Sequence, residues 1–294
     1  MMAAARPLPP ALLGALAMLG CLVAVQANFT LIKHLGESFP PAQLAFVRGA
    51  VQGLVVLAFF KPGKLWIGRW ARDRFILARG SLMGVGSFVA TVAIVGLPLQ
   101  DSTALTFAGP LFAVPLAAWW LKERQGWGVR IAVAVGFLGV LAIAPPGRML
   151  EPAVAGAILT AFIGALDSVL LRIAAPGERT GTFLLATSIG MMATLGLPTF
   201  LYGVWPDTLL AGFLLILSGL LSIVAEGLFI NACRLAPVAL VMPLDYLRLA
   251  LALAIDALLF DLAPKAATLV GAALIIGAAL VILRAAARQS APAG

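Results

Sequence analysis

The sequence predicts an all-α polytopic membrane protein, with ten transmembrane helices arranged as two inverted five-helix repeats. Three observations predict it. Of the 294 residues, 62% are hydrophobic and 11% charged, whereas soluble globular chains carry about 25% charged residues. The apolar residues fall in ten runs, roughly 11 to 33, 40 to 60, 75 to 97, 101 to 121, 126 to 145, 152 to 174, 181 to 204, 208 to 233, 236 to 260 and 264 to 284. Each is near the roughly 20 residues a helix needs to cross the hydrocarbon. The last five runs read as a degenerate copy of the first five. Because five is odd, the second copy enters the membrane upside down, an arrangement that belongs to alternating-access transport.

The runs are apolar on every side, which excludes the alternating segments of about 10 residues that build a membrane β-barrel. A helix satisfies its own backbone groups in hydrocarbon, so helix is the expected state of each run whatever its propensity. The first run follows Arg6 and several prolines, as a signal peptide would. It exceeds the usual apolar core and has no convincing cleavage site, so it reads as a retained first span. Connections are short, the longest being the basic stretch Lys61 to Arg74 with Trp66 and Trp70. These two and Trp127 suit the membrane interface.

The repeat divides the chain into residues 1–147 and 148–294. An offset near 138 lays Leu121-Lys122-Glu123 over Leu259-Phe260-Asp261 and Phe137-Leu138-Gly139 over Ile275-Ile276-Gly277. An offset near 139 lays Leu31-Ile32-Lys33 over Leu170-Leu171-Arg172, which puts Lys33 at the outer end of its helix and Arg172 at the inner end of its own.

The net charge of +8 would suggest nucleic acid in a soluble protein, but its distribution gives it another meaning. With the N-terminus in the cytoplasm, inward segments hold 14 of the 20 basic residues and outward segments hold Lys33, Arg148 and Lys265. The excess therefore sets orientation, with both termini cytoplasmic. The two cysteines, Cys21 and Cys233, read as buried thiols. His34 is the one histidine, which disfavours a metal site or a Ser-His triad. No cofactor or ATPase motif is present in the sequence.

The fourth and ninth runs carry Gly109-Pro110 and Met242-Pro243. A proline removes a helical hydrogen bond and opens carbonyls to a cavity or a bend, and interrupted helices in corresponding positions of two halves point to a central site. Prolines are also common in membrane helices, and Pro110 aligns with Arg248 rather than Pro243.

Charges deep in a span cost about 2.5–3.5 kcal/mol each and so face partners or water. Arg48 and Arg248 lie near span centres, with Asp167, Glu226, Asp245 and Asp256 offset from them. Asp245 and Arg248, three apart, share a helical face; pairing with each other and contact with a solute are both open. Asp167, Glu226 and Asp245 are candidates to carry a proton across the membrane, and bonding to a neighbouring helix is the alternative for each. Asp256, about three turns beyond Asp245, is expected at the outer mouth. Gln26 and Asn28 place amides in the first span, where they either bridge helices or bind a ligand; Asn28 aligns with Asp167 in the repeat. Phe88, Phe107 and Tyr246 lie near these groups and suit a cavity with aromatic walls. Gly49-x-x-x-Gly53 and Gly80-x-x-x-Gly84 permit close helix approach within a monomer.

Phe46-Val47-Arg48, the stretch from Ala104 through Gly109-Pro110 to Leu121-Lys122-Glu123-Arg124, and Gly136-Phe137-Leu138-Gly139 carry a resemblance to the EamA-type exporters of the drug/metabolite transporter superfamily. Pro243-Leu244-Asp245-Tyr246-Leu247-Arg248 and Gly271 to Gly277 look like the matching elements of the second half, with Asp261 where the family usually has glutamate. The resemblance implies a bacterial inner-membrane exporter of small metabolites, with a central cavity formed mainly by the first, third, fourth, sixth, eighth and ninth helices. Relatives of that kind export amino acids, aromatic ones included, and toxic cations.

The expected activity is therefore secondary-active or facilitative export of small metabolites, amino acids foremost. Arg248 or Arg48 would meet a carboxylate, and Asp245 or Glu226 an amine or a proton. The partners are a small solute, lipid and candidate protons, without nucleic acid. An intramembrane enzyme acting on a lipid-linked substrate and multidrug or toxic-cation efflux are the alternatives.

Overall fold

Every regular element described is helical, as a chain that must satisfy its backbone in hydrocarbon requires. The computed structural model describes residues 10–59, 74–120, 126–174, 180–235 and 244–290. Within them run α1 (Pro10–Leu35), α2 (Pro41–Phe59), α3 (Arg74–Gly96), α4 (Leu99–Thr106), α5 (Gly109–Trp120), α6 (Trp127–Ile143), α7 (Pro152–Ala174), α8 (Thr180–Tyr202), α9 (Leu209–Leu235), α10 (Leu247–Leu259) and α11 (Ala266–Ser290). Among the described residues six stretches are long and apolar enough to cross a membrane, and Trp127–Ile143, Pro152–Asp167 and Ala266–Ile282 are shorter apolar helices. Trp66, Trp70 and Pro243 lie outside the described residues, as do Leu121-Lys122-Glu123-Arg124.

The fourth run, read from sequence as one helix, is two. Helix α4 ends at Thr106, Phe107 and Ala108 form a turn, and α5 starts at Gly109. Pro110 is not the breaking residue. It occupies the second position of α5, where a helix has no use for an N–H and proline is tolerated. The ninth run breaks too. Leu244 and Asp245 are helical, Tyr246 is a turn, and α10 follows.

Helix α1 packs on α9, and α3 on α7; α3 packs on α8, and α2 on α9. Helices α2 and α8 face each other, as do α6 and α11, and α4 and α10. Exchanging the first five spans for the second five turns each of the first four contacts into another of them and each of the last three into itself.

Small residues set the closest approaches. Gly49 and Gly53 of α2 lie against Met191 and Ser188 of α8, while Gly80 and Gly84 of α3 meet Ala186 and Gly190 of the same helix. A β-carbon at Gly190 would collide with the backbone of Gly80, so α3 and α8 touch main chain to main chain. On α6 and α11, a β-carbon at either Gly139 or Gly271 would stand 2.6 Å from the other residue's carbonyl oxygen. Leu54, Leu138, Phe200, Leu258 and other large apolar side chains are exposed, as a lipid-facing surface requires. Cys21 and Cys233 are free thiols.

Candidate functional site

A cavity of about 510 Å³ is lined by α1, α2, α3, α7, α8 and α9 and by Asp245 and Arg248 at the ninth-run break. It draws on both halves. The second and seventh spans line it although the resemblance did not imply them, and the fourth contributes none of the lining residues. Phe107 of the fourth span lies behind the wall, covered by Arg248 and Tyr246.

One wall is a lattice of polar groups between α2 and α9. Arg48 and Gln52, four apart on α2, face Ser222 and Glu226, four apart on α9. Arg48 Nε donates to Ser222 Oγ at 3.0 Å, and Gln52 Nε2 to Glu226 Oε2 at 3.0 Å. From α1, Asn28 Nδ2 donates to the same Ser222 Oγ at 2.9 Å, and that hydroxyl donates onward to the Ser218 carbonyl at 3.0 Å. The lattice is unfinished. Arg48 Nη1, Asn28 Oδ1 and the Ser87 hydroxyl are buried without a hydrogen-bond partner. Arg48 and Glu226 both line the cavity, and among the described residues neither forms an ion pair.

The break in the ninth run supplies a second group. Arg248 Nη2 lies 3.5 Å from Asp245 Oδ2. Its guanidinium stacks 5.0 Å above the Phe107 ring and 6.0 Å from that of Phe29. Phe107 in turn meets Tyr246 edge to face, with ring centres 5.1 Å apart. The two helix breaks, one from each half, therefore touch through their own turn residues, and the cation above them borders the cavity.

Of the residues singled out by sequence, Asn28, Arg48, Glu226, Asp245 and Arg248 line the cavity. Gln26 does not. Two residues before Asn28, it falls on the opposite side of α1, and its amide is fully buried. Phe88, one residue past the lining Ser87, turns into a cluster with Ala45, Met191 and Leu195. Phe107 and Tyr246 stand behind Arg248, and Pro110, in the first turn of α5, is not among the lining residues. Asp167 is away from the lining and held by Arg79, with Nε–Oδ1 2.6 Å and Nη2–Oδ2 3.0 Å. Asp256 is not at an outer mouth. It is fully buried and accepts the Leu99 and Gln100 amides at 3.1 and 2.8 Å, satisfying two of the free N–H groups at the start of α4.

Sequence reasoning missed Gln52 and Ser222. Their signal was their spacing, four residues from Arg48 and from Glu226 respectively.

The profile of the EamA-like transporter family matches residues 12–144. A riboflavin transporter of Rhizobium johnstonii is 30% identical over 253 residues, covering 84% of this chain and 82% of its own. The chain belongs to the EamA-like transporter family. Among other relatives, an S-adenosylmethionine uptake transporter of Rickettsia felis is 27% identical over 256 residues, 86% of each chain. A pseudopaline exporter of Pseudomonas aeruginosa is 28% identical over 161 residues, 52% of this chain and 56% of that one. A solved crystal structure of another protein shares the fold, with a TM-score of 0.56 at 20% identity, over 95% of this chain and 99% of the other.

Proposed function

We propose that this EamA-like protein is a secondary-active or facilitative carrier in the bacterial inner membrane, with both termini cytoplasmic, that exports small metabolites, amino acids including aromatic ones, by alternating access. Residues 1–147 and 148–294 are the two inverted halves, acting in a monomer. The observation that carries this reading is the contact of the two helix breaks, Phe107 against Tyr246, behind a cavity lined from both halves. Rocking one half on the other works that contact directly. The glycine motifs of α2 and α3 are used inside the chain against α8, which supports the monomer.

The relatives' names support small solutes and differ in cargo and direction. S-adenosylmethionine ends in an amino acid group and riboflavin carries a flat ring; the cavity offers paired charges for the first and Phe29 for the second. A carrier without its own energy source follows the solute gradient, so it exports whatever the cell accumulates. Of the three acids considered for proton coupling, Asp167 is held by Arg79 and Asp245 by Arg248, which leaves Glu226. Toxic-cation efflux would need a cavity with excess negative charge. Here Arg48 and Arg248 balance Glu226 and Asp245.

The test is flux of labelled amino acids in proteoliposomes of the purified protein, with and without a pH gradient. Saturable movement that falls when Asp245→Asn frees Arg248 is the expected result. Unchanged flux and unchanged gradient dependence in that variant would remove Asp245 from the mechanism. Absence of saturable movement for any solute would end the carrier reading.

A further inference from the structure

Two sets of opposite charges border the cavity, and among the described residues only one of them forms an ion pair. Asp245 and Arg248 have each other at 3.5 Å, and Arg248 also lies over the Phe107 ring, although its Nε has no hydrogen-bond partner. Arg48 and Glu226 each hold a neutral side chain instead, Ser222 and Gln52. On the Ser222 hydroxyl that Arg48 shares with Asn28, an uncommitted donor, Arg48 Nη1, and an uncommitted acceptor, Asn28 Oδ1, remain. A buried polar group left without a partner carries the full penalty of losing water. A charge in this state is completed by a ligand of opposite sign.

We propose that the cargo's head group is a zwitterion, a carboxylate and an ammonium close together, bound with the carboxylate on Arg48 and the ammonium between Glu226 and Asn28 Oδ1. The inference rests on the carrier reading and assigns the head group among the four charges that reading leaves open. The donor inventory fits. A guanidinium edge offers N–H groups to a carboxylate, and an ammonium has three donors for a carboxylate and an amide oxygen. Both cavity charges are then neutralised at once. A bare amine would leave Arg48 unpaired and a bare acid would leave Glu226 unpaired, so each is rejected for want of a partner rather than for size. Arg48 and Glu226 are thus the specificity-determining residues, while the Asp245–Arg248 pair belongs to the helix breaks.

Three probes of similar size separate the possibilities: L-phenylalanine, phenethylamine, which lacks the carboxylate, and 3-phenylpropanoate, which lacks the ammonium. Each is offered to proteoliposomes of the full chain, with riboflavin as a cargo of different chemistry. In the wild type L-phenylalanine is expected to be preferred over either analogue by about tenfold or more, the scale on which a site rejects a ligand that leaves its polar groups unpaired. Arg48→Gln should bring the preference over phenethylamine close to one and spare that over 3-phenylpropanoate. Glu226→Gln should do the reverse. The unfolding midpoint of each variant in detergent confirms that it is folded, and a general loss of structure does not produce opposite selectivities.

Equal selectivity in wild type and variants overturns the zwitterion assignment. So does saturable movement of riboflavin without that of L-phenylalanine, which leaves the carrier reading standing. No saturable movement of any of the four overturns the carrier reading itself.

Discussion

At the start of α4, Asp256 takes two backbone amides, Thr268 donates to Asp101 at 2.6 Å, and Lys33 donates to the Leu97 carbonyl. At the cavity wall, Arg48, Asn28 and Ser87 each keep a buried polar atom without a partner. Both regions sit within the spans and both collect groups that are expensive in hydrocarbon. The first has every charged group bonded and ties α1, α4, α10 and α11 together, with only the neutral Gln100 Oε1 and Thr103 Oγ1 left without partners. The second is left open where two halves meet around a cavity. Bonding of the charged groups is therefore what separates the two clusters, since the Lys33, Asp101 and Asp256 charges are all engaged while Arg48 Nη1 is not, and buried charge alone does not separate them.

Substitutions on the two sides should respond in opposite ways. The largest loss of stability is expected from Arg79→Ala, which strands Asp167 as a buried unpaired charge at a cost of about 3–5 kcal/mol, read as a large drop in the detergent unfolding midpoint. Asp256→Ala comes next. It leaves the Leu99 and Gln100 amides without acceptors, at a cost of about 2–3 kcal/mol, and hydrogen exchange at the start of α4 should rise with it. Phe107→Ala removes an edge-to-face contact and the ring beneath Arg248, and should lower transport while costing about 1–3 kcal/mol in stability. Arg48→Gln and Glu226→Gln should leave the unfolding midpoint within about 1 kcal/mol of wild type, since each removes an incompletely bonded charge, while changing transport strongly. A midpoint loss as large as that of Arg79→Ala would erase the distinction between the two regions.

The smallest effect is expected outside the spans. Arg148 donates two hydrogen bonds to Glu151, at 3.0 and 2.9 Å, and these hold the Glu151 carboxyl below its ordinary range. A depressed carboxylate lends its stability at neutral pH and loses it as pH falls through the lowered value. The pair is exposed and screened by solvent. Glu151→Gln should therefore leave both the unfolding midpoint and its pH dependence unchanged within error.

The fold class and span order were legible because a bilayer enforces both length and apolarity on each helix. Five site residues were legible for the same reason. Asn28, Arg48, Glu226, Asp245 and Arg248 stood out as polar groups in apolar runs, and deep polar groups gather at an interior surface. Gln52 and Ser222 were marked only by their spacing, four residues from Arg48 and from Glu226. The destinations of Asp167 and Asp256 depend on partners 88 and 156 to 157 residues away, which spacing along one helix does not reveal. Pro110 drew attention to the right span but the wrong residue, because a proline at a helix start breaks nothing and the turn at Phe107-Ala108 has no strong local sequence mark.

Access to the cavity from each side of the membrane tests the central claim most directly. Ser87 lines the cavity, and Ser87→Cys in a chain carrying Cys21→Ala and Cys233→Ala places one thiol there. Oriented proteoliposomes would be treated with a membrane-impermeant thiol reagent from the inside or the outside, with and without L-phenylalanine. Alternating access predicts labelling from both sides, slowed on both by the solute. Labelling confined to one side, and indifferent to the solute, would contradict it.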